Sequence, residues 1–149
     1  MNRLLALLAV LFALAAPACT NLLVGKKASK NGACFITYSA DSYGMYGRML
    51  HYPAGKHAPG TMRKIVAGAT HTPLGEIPEA PYTYNVVGNI NEHQVAITET
   101  TFGCREELWP KNPVGGIDYV SLMALGLQRA KTAREAIRVM TDLVARYGY

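Results

Sequence analysis

"CTNLLVGKKASKNGACFITYSAD", residues 19–41, is the stretch whose reading decides the fold. Residues 19–27 read as a short strand, and the polar "ASKNG" after it is a turn with Asn31-Gly32 at its tip. Both of those residues tolerate positive φ, so Asn-Gly between two apolar runs is a strong hairpin signal. "ACFITYSAD", residues 33–41, then returns as a strand rich in β-branched and aromatic side chains. This pairing has a chemical consequence. Cys19 opens the first strand and Asp41 closes the second, so the hairpin delivers a thiol and a carboxylate to the same end.

On the N-terminal side of this stretch, Met1-Asn2-Arg3 gives a short positive start and Leu4–Ala16 is an apolar run. Its length falls within the range of about 7–15 residues for a signal-peptide core. A bilayer span would need about 20. Ala16-Pro17-Ala18 places small residues at the two positions a signal peptidase reads. The expected cut lies between Ala18 and Cys19, which makes residues 1–18 a signal peptide and Cys19 the first residue of an exported protein. The destination is periplasmic, extracellular or cell-surface. A bacterial lipoprotein acylated at Cys19 is the alternative, and Ala16 stands against it, because lipidation signals usually place a leucine-like residue there. An oxidising compartment also allows Cys34 and Cys104 to pair and leaves Cys19 odd. The sequence leaves that pairing open.

The whole chain is 149 residues, half of them hydrophobic, which is about one domain's worth. Its formal charge of +5 is scattered, with Lys26, Lys27 and Lys30 the densest group. No basic run or reading motif accompanies it, so nucleic acid is not an expected partner. From Ser42 to Tyr82 the chain is rich in Gly, Pro, His and Tyr and reads as irregular, with "MRKIVAGA" one candidate strand. Tyr84–Ile90 and Val95–Phe102 read as a second pair of strands joined through Asn91-Glu92-His93-Gln94. The last third switches to helical spacing. Asp118 is an N-cap for "IDYVSLMALGLQRA", and Thr132-Ala-Arg-Glu135 is a capping box. Ala133, Ala136, Ile137, Met140, Leu143, Val144 and Tyr147 then form one apolar face. The class is α+β. Two hairpins and two helices make half of a layered sandwich and leave sheet edges unpaired.

Cysteine is the best candidate nucleophile here, but it needs a base. His51, His57, His71 and His93 lie in separate polar segments without the compact spacing of a zinc site, and neither a metal nor a cofactor is expected. A chain-terminal cysteine carries its own base, since an α-amino group titrates near pH 7.7–8.0. Removal of the signal peptide by signal peptidase would then be the activation step. Asp41 is placed to accept from that amine, although a strand-ending aspartate is the commoner role for such a residue. Asn91 and Glu92 sit in the second turn, where turn chemistry competes with substrate contact as the reading of Asn91. Arg48 and Arg105 are candidates for binding a peptide carboxylate, although surface solvation is the commoner state of an arginine, and Trp109 either covers a pocket or anchors a loop.

"CTNLLVGKKASKNGACFITYSADS" resembles the start of the thiol dipeptidase/secernin branch of the N-terminal-nucleophile (Ntn) hydrolases, relatives of the penicillin V and bile-salt acylases. "YNVVGNINEHQVAITETTFG" is similar to the second signature of that family, and the C-terminal helical stretch is similar to the family's next segment. The resemblance implies an Ntn-hydrolase αββα four-layer sandwich, of which this chain carries the N-terminal part, residues 19–149. It implies that Cys19 is nucleophile through its thiol and base through its amine, that Asp41 holds the amine, and that small peptides, above all dipeptides, are the substrates. Two positions depart from the acylases. Tyr38 stands where they have an arginine, three residues before the motif aspartate. Thr101 stands where they use an oxyanion-binding asparagine, and its hydroxyl can donate there. A non-catalytic remnant of the same fold and a lipid-anchored binding protein are the competing readings. The preferred dipeptide and the oligomeric state are not legible.

Overall fold

The computed structural model describes residues 19–40, 47, 49–68, 70–100, 105, 107 and 116–149. The chain divides into two units, Met1–Gly47 with Glu99–Gly103, and Arg48–Thr98 with Cys104–Tyr149. Its content is mixed α and β, with nine short strands in four small sheets and two helices among the described residues.

The first unit holds the expected hairpin. β1 (Thr20–Val24) pairs antiparallel with β2 (Phe35–Ser39) in the register Thr20↔Ser39 through Val24↔Phe35. Asn31-Gly32 does not form a two-residue tip. The connection runs from Gly25 to Cys34, where Ala28 N–H donates to Gly25 O and Gly32 N–H to Ser29 O. Gly32 takes φ 72°, and the Asn31 side chain accepts from Ala33 N–H at 3.1 Å. The pair therefore brings the chain back into β2 through a side-chain turn, and the Lys-rich stretch before it forms the rest of the loop.

The second unit is built around two helices, α1 (Tyr119–Arg129) and α2 (Ala133–Tyr147). Both caps fall where the sequence places them. Asp118 Oδ1 accepts from Ser121 N–H, and Thr132 Oγ1 accepts from Glu135 N–H. The Glu135 carboxylate reaches back to Lys131 N–H, one residue before the cap, so the box closes slightly wider than its consensus form. Gly126 lets the helices approach closely, since a Cβ there would sit 3.0 Å from the Met140 side chain.

Beside the helices lies the hairpin of β5 (Met62–Val66) and β6 (Pro73–Pro78), in which β5 is the predicted "MRKIVAGA" strand. Period-2 alternation buries Ile65 and Ile77, which join Ile117, Leu122, Leu125 and Leu143 in one cluster. Hydrogen bonds fix α1 to this hairpin at both ends. Asp118 Oδ2 accepts from Gly68 N–H at 2.8 Å, and Ser121 Oγ donates to Val66 O at 3.1 Å. At the other end Arg129 Nη2 donates to Pro78 O and to Glu79 Oε1. Glu79 also meets Arg63 at 3.3 Å, and its side chain is 4% exposed. Burial alone would raise the Glu79 carboxyl, but the Ala80 N–H and the two guanidinium groups outweigh it and hold the carboxyl below its ordinary value.

The second predicted strand pair is more broken than its alternation suggested. Tyr84–Ile90 contains only β8 (Val86–Val87) and, after a turn at Gly88 with φ 56°, the start of β9 (Ile90–Asn91). β8 pairs with both β9 and β3 (His51–Tyr52), while β4 (Gly55–Lys56) pairs with β7 (Tyr82–Thr83). Among residues 95–100 of the expected Val95–Phe102 strand there is only a bridge at Ala96. Backbone bonds on either side of that bridge, Asn91 N–H to Val95 O and Ile97 N–H to Asn89 O, are supplemented by side-chain amides. Val95 N–H goes to Asn91 Oδ1, and Ile97 O accepts from Asn89 Nδ2.

Candidate functional site

Cys19 stands immediately before β1, and continuation of the register past Thr20↔Ser39 sets it opposite Ala40. The end of β2 is thus brought to Cys19 as the sequence requires. Asp41, the next residue, lies outside the described residues, as do Thr101, Cys104, Arg48 and Trp109. Alternation places Cys19, Asn21 and Leu23 on the face they share with Ile36 and Tyr38. Thr20, Leu22 and Val24 share the opposite face with Phe35, Thr37 and Ser39.

The polar half of the first face is a connected set. Cys19 Sγ lies 3.5 Å from the Tyr38 hydroxyl, which donates to Glu99 Oε1 at 2.5 Å. Asn21 Nδ2 donates to Glu99 O at 2.9 Å, so both the backbone and the side chain of Glu99 are held to this face. Tyr38 is the cross-strand partner of Asn21, which places the three groups on neighbouring positions of one ladder. The bond to Glu99, and after it the contact with Cys19, push the Tyr38 phenol far above its ordinary value. The hydroxyl therefore keeps its proton at any physiological pH.

Sequence reasoning found Cys19 and treated Tyr38 only as a departure from the acylases. It missed Glu99. The period-2 alternation that puts Tyr38 on the thiol's face was legible, whereas the arrival of Glu99 depends on a segment that forms no ladder.

Asn91 occupies a different setting, 5% exposed in the helical unit. Its Nδ2 donates to Leu127 O at 2.8 Å and to Ala130 O at 2.7 Å. Its Oδ1 accepts from His93 N–H and Val95 N–H, both at 3.0 Å. An amide has two donor hydrogens and two acceptor lone pairs, and all four are used within the protein. The residue closes the C-terminal end of α1 onto the turn, with no valence left over for a substrate. The same unit has a cleft of about 240 Å³ whose lining includes Tyr52, Arg63, His71 and Ser121 and, among the described residues, neither Cys19 nor Asn91. Cys34 is exposed at the start of the return strand.

The chain is 30% identical over 148 aligned residues to a protein of Latilactobacillus sakei called "Probable dipeptidase". The match covers 88% of this chain and 30% of that protein, so the chain spans about a third of the length of the curated relative. No solved structure matches it significantly. The profile of Peptidase family C69 matches residues 18–52 and 44–149, which together take in everything from residue 18 onward. The chain belongs to peptidase family C69.

Proposed function

We propose that the protein acts as a cysteine dipeptidase of the N-terminal-nucleophile type, exported and matured by a cut before Cys19. The observation that carries this reading is Cys19 at the head of β1, its sulfur 3.5 Å from Tyr38 and the returning strand end beside it. Family membership and the name of the Latilactobacillus sakei relative give the same direction.

In this mechanism the new α-amino group takes the thiol proton while the sulfur attacks the peptide carbonyl. The tetrahedral oxyanion collapses, the amine returns the proton to the leaving nitrogen, and the C-terminal amino acid departs. Water, activated by the same amine, hydrolyses the thioester and restores the thiol. Asp41 is assigned to orient the amine and Thr101 to donate to the oxyanion. The fold we propose is the αββα sandwich. Its support is that the hairpin is apolar on both faces, with Leu23 and Ile36 on one and Leu22 and Phe35 on the other. A sheet that packs between two layers has that pattern.

Two measurements test the reading. Intact mass and N-terminal sequencing of exported protein should find an unmodified cysteine first, and acyl chains on Cys19 would favour the lipoprotein instead. Against a dipeptide panel, Cys19→Ser should lose at least about 100-fold in kcat/KM, because serine is a poor nucleophile for an amine base. Unchanged hydrolysis by that variant would end the mechanism.

A further inference from the structure

The Tyr38 hydroxyl has one proton and two neighbours that compete for it. A carboxylate only accepts, so the 2.5 Å contact with Glu99 Oε1 requires that proton. A charge-assisted bond of that length is stronger than an O–H···S contact at 3.5 Å. The phenol oxygen is left facing the sulfur with its lone pairs, and the bond between them is one in which the thiol donates. Glu99 is itself fixed by Asn21, whose amide holds its carbonyl at 2.9 Å, so the orientation of the phenol is set from both sides.

We propose that Tyr38 is a positioning residue for the nucleophile. Glu99 holds the phenol proton, the phenol oxygen accepts from the Cys19 thiol, and the sulfur is aimed by that bond. The proposal rests on reading Cys19 as the nucleophile. Its consequence is a resting state in which the thiol is favoured over the thiolate, so the sulfur becomes reactive when a base removes its proton during attack. The phenol keeps its proton chiefly through its bond to Glu99, the largest cause of its raised value, so it acts by orientation and not by proton exchange. Among the described residues, titratable groups that face the sulfur include Tyr38 on β2 and Glu99 beyond it, with the α-amino group of Cys19 itself once the chain is cut.

The test is the pH profile of Cys19 alkylation by iodoacetamide on the full chain. It is read at the Cys19 peptide by mass spectrometry, so that exposed Cys34 does not contribute. Tyr38→Phe keeps the ring and removes one bond that favours the thiol, which should lower the midpoint by about 0.5–1 pH unit. Glu99→Gln removes the charge and releases the phenol proton toward the thiolate, which should lower it further, by about 1–2 units. A merely structural role would move neither midpoint. An unchanged or raised midpoint in Tyr38→Phe overturns the proposal, as does a Glu99→Gln midpoint at or above that of the wild type. If one variant fails to fold, the other decides. In dipeptide hydrolysis Tyr38→Phe should lose about 10-fold in kcat with KM unchanged. Alkylation needs no turnover, so loss of the dipeptidase reading through an active Cys19→Ser would leave the midpoints to decide the role of Tyr38 separately.

Discussion

Leu23 and Leu125 are the same side chain in opposite circumstances. On β1 Leu23 is 72% exposed, with Leu22 and Phe35 also more than half exposed, whereas Leu125 on α1 is 1% exposed inside a closed apolar cluster. The helical unit holds its shape by burial, and its polar groups serve that core. The hairpin holds its reactive groups by hydrogen bonds, Tyr38 to Glu99 and Asn21 to Glu99. A two-stranded hairpin is marginal on its own burial. The lesson is a division of labour between a unit whose structure is secured by its core and an element whose chemistry depends on a few polar contacts.

The strongest way to break that comparison is at Asn91, the polar centre of the helical unit. Asn91→Ala strands two carbonyls and the Val95 N–H in a buried site, with the His93 N–H at its edge, and should cost about 4 kcal/mol in urea unfolding followed by helical circular dichroism. A cost below about 1 kcal/mol would mean that water replaces the amide, and would reopen Asn91 to a role in binding. Leu125→Ala comes next, at about 3 kcal/mol in the same transition, for a transfer loss plus an unfilled cavity. A much smaller loss would show that the core around Ile117 and Leu143 collapses to fill the space.

The helical third was the most legible part of the fold, because caps and apolar spacing are local signals. Asp118 and Thr132 cap as read, and Ala136 and Leu143 are buried on the predicted face of α2, whereas Ala133 and Ile137 of that face are exposed and Val139 packs on the core instead. The β1–β2 hairpin was legible in its pairing but not in its turn, since Asn31-Gly32 suits positive φ equally well at a loop's end as at its tip. The 95–100 segment was misread as strand for a physical reason. Alternation reports which side chains are buried, and it is blind to whether a full ladder or one bridge helped by the amides of Asn89 and Asn91 satisfies the backbone. At the site, Cys19 was visible from its place after the apolar N-terminal run, while Glu99 became a candidate only through a contact between residues 61 apart in the chain.

Glu79 sharpens the comparison through pH. Its carboxyl is held below the ordinary value of 4.5 in the folded unit, so it contributes stability that is fully present above that value. The contribution is lost as pH falls through the lower folded value. Glu79→Gln should therefore cost about 2 kcal/mol near neutrality, leaving Arg129 and Arg63 without their shared partner. The difference from wild type should shrink as the pH falls below the ordinary carboxyl value of 4.5 and through the lower folded value. Equal acid sensitivity in the two proteins would show that the carboxylate clasp is not what ties α1 to β6.

The smallest effect is expected at Leu23. With its side chain largely in solvent, Leu23→Ser removes little burial and should change the helical transition by less than about 0.5 kcal/mol. The loss should also leave the alkylation midpoint of Cys19 in place, because Tyr38 and Glu99 are untouched. A cost approaching that of Leu125→Ala would put Leu23 in a buried environment in solution, and the contrast between the two leucines would disappear. The hairpin would then owe its position to packing on that face, and Cys19, Asn21 and Tyr38, which share the face with Leu23, would be held by a core as well as by hydrogen bonds.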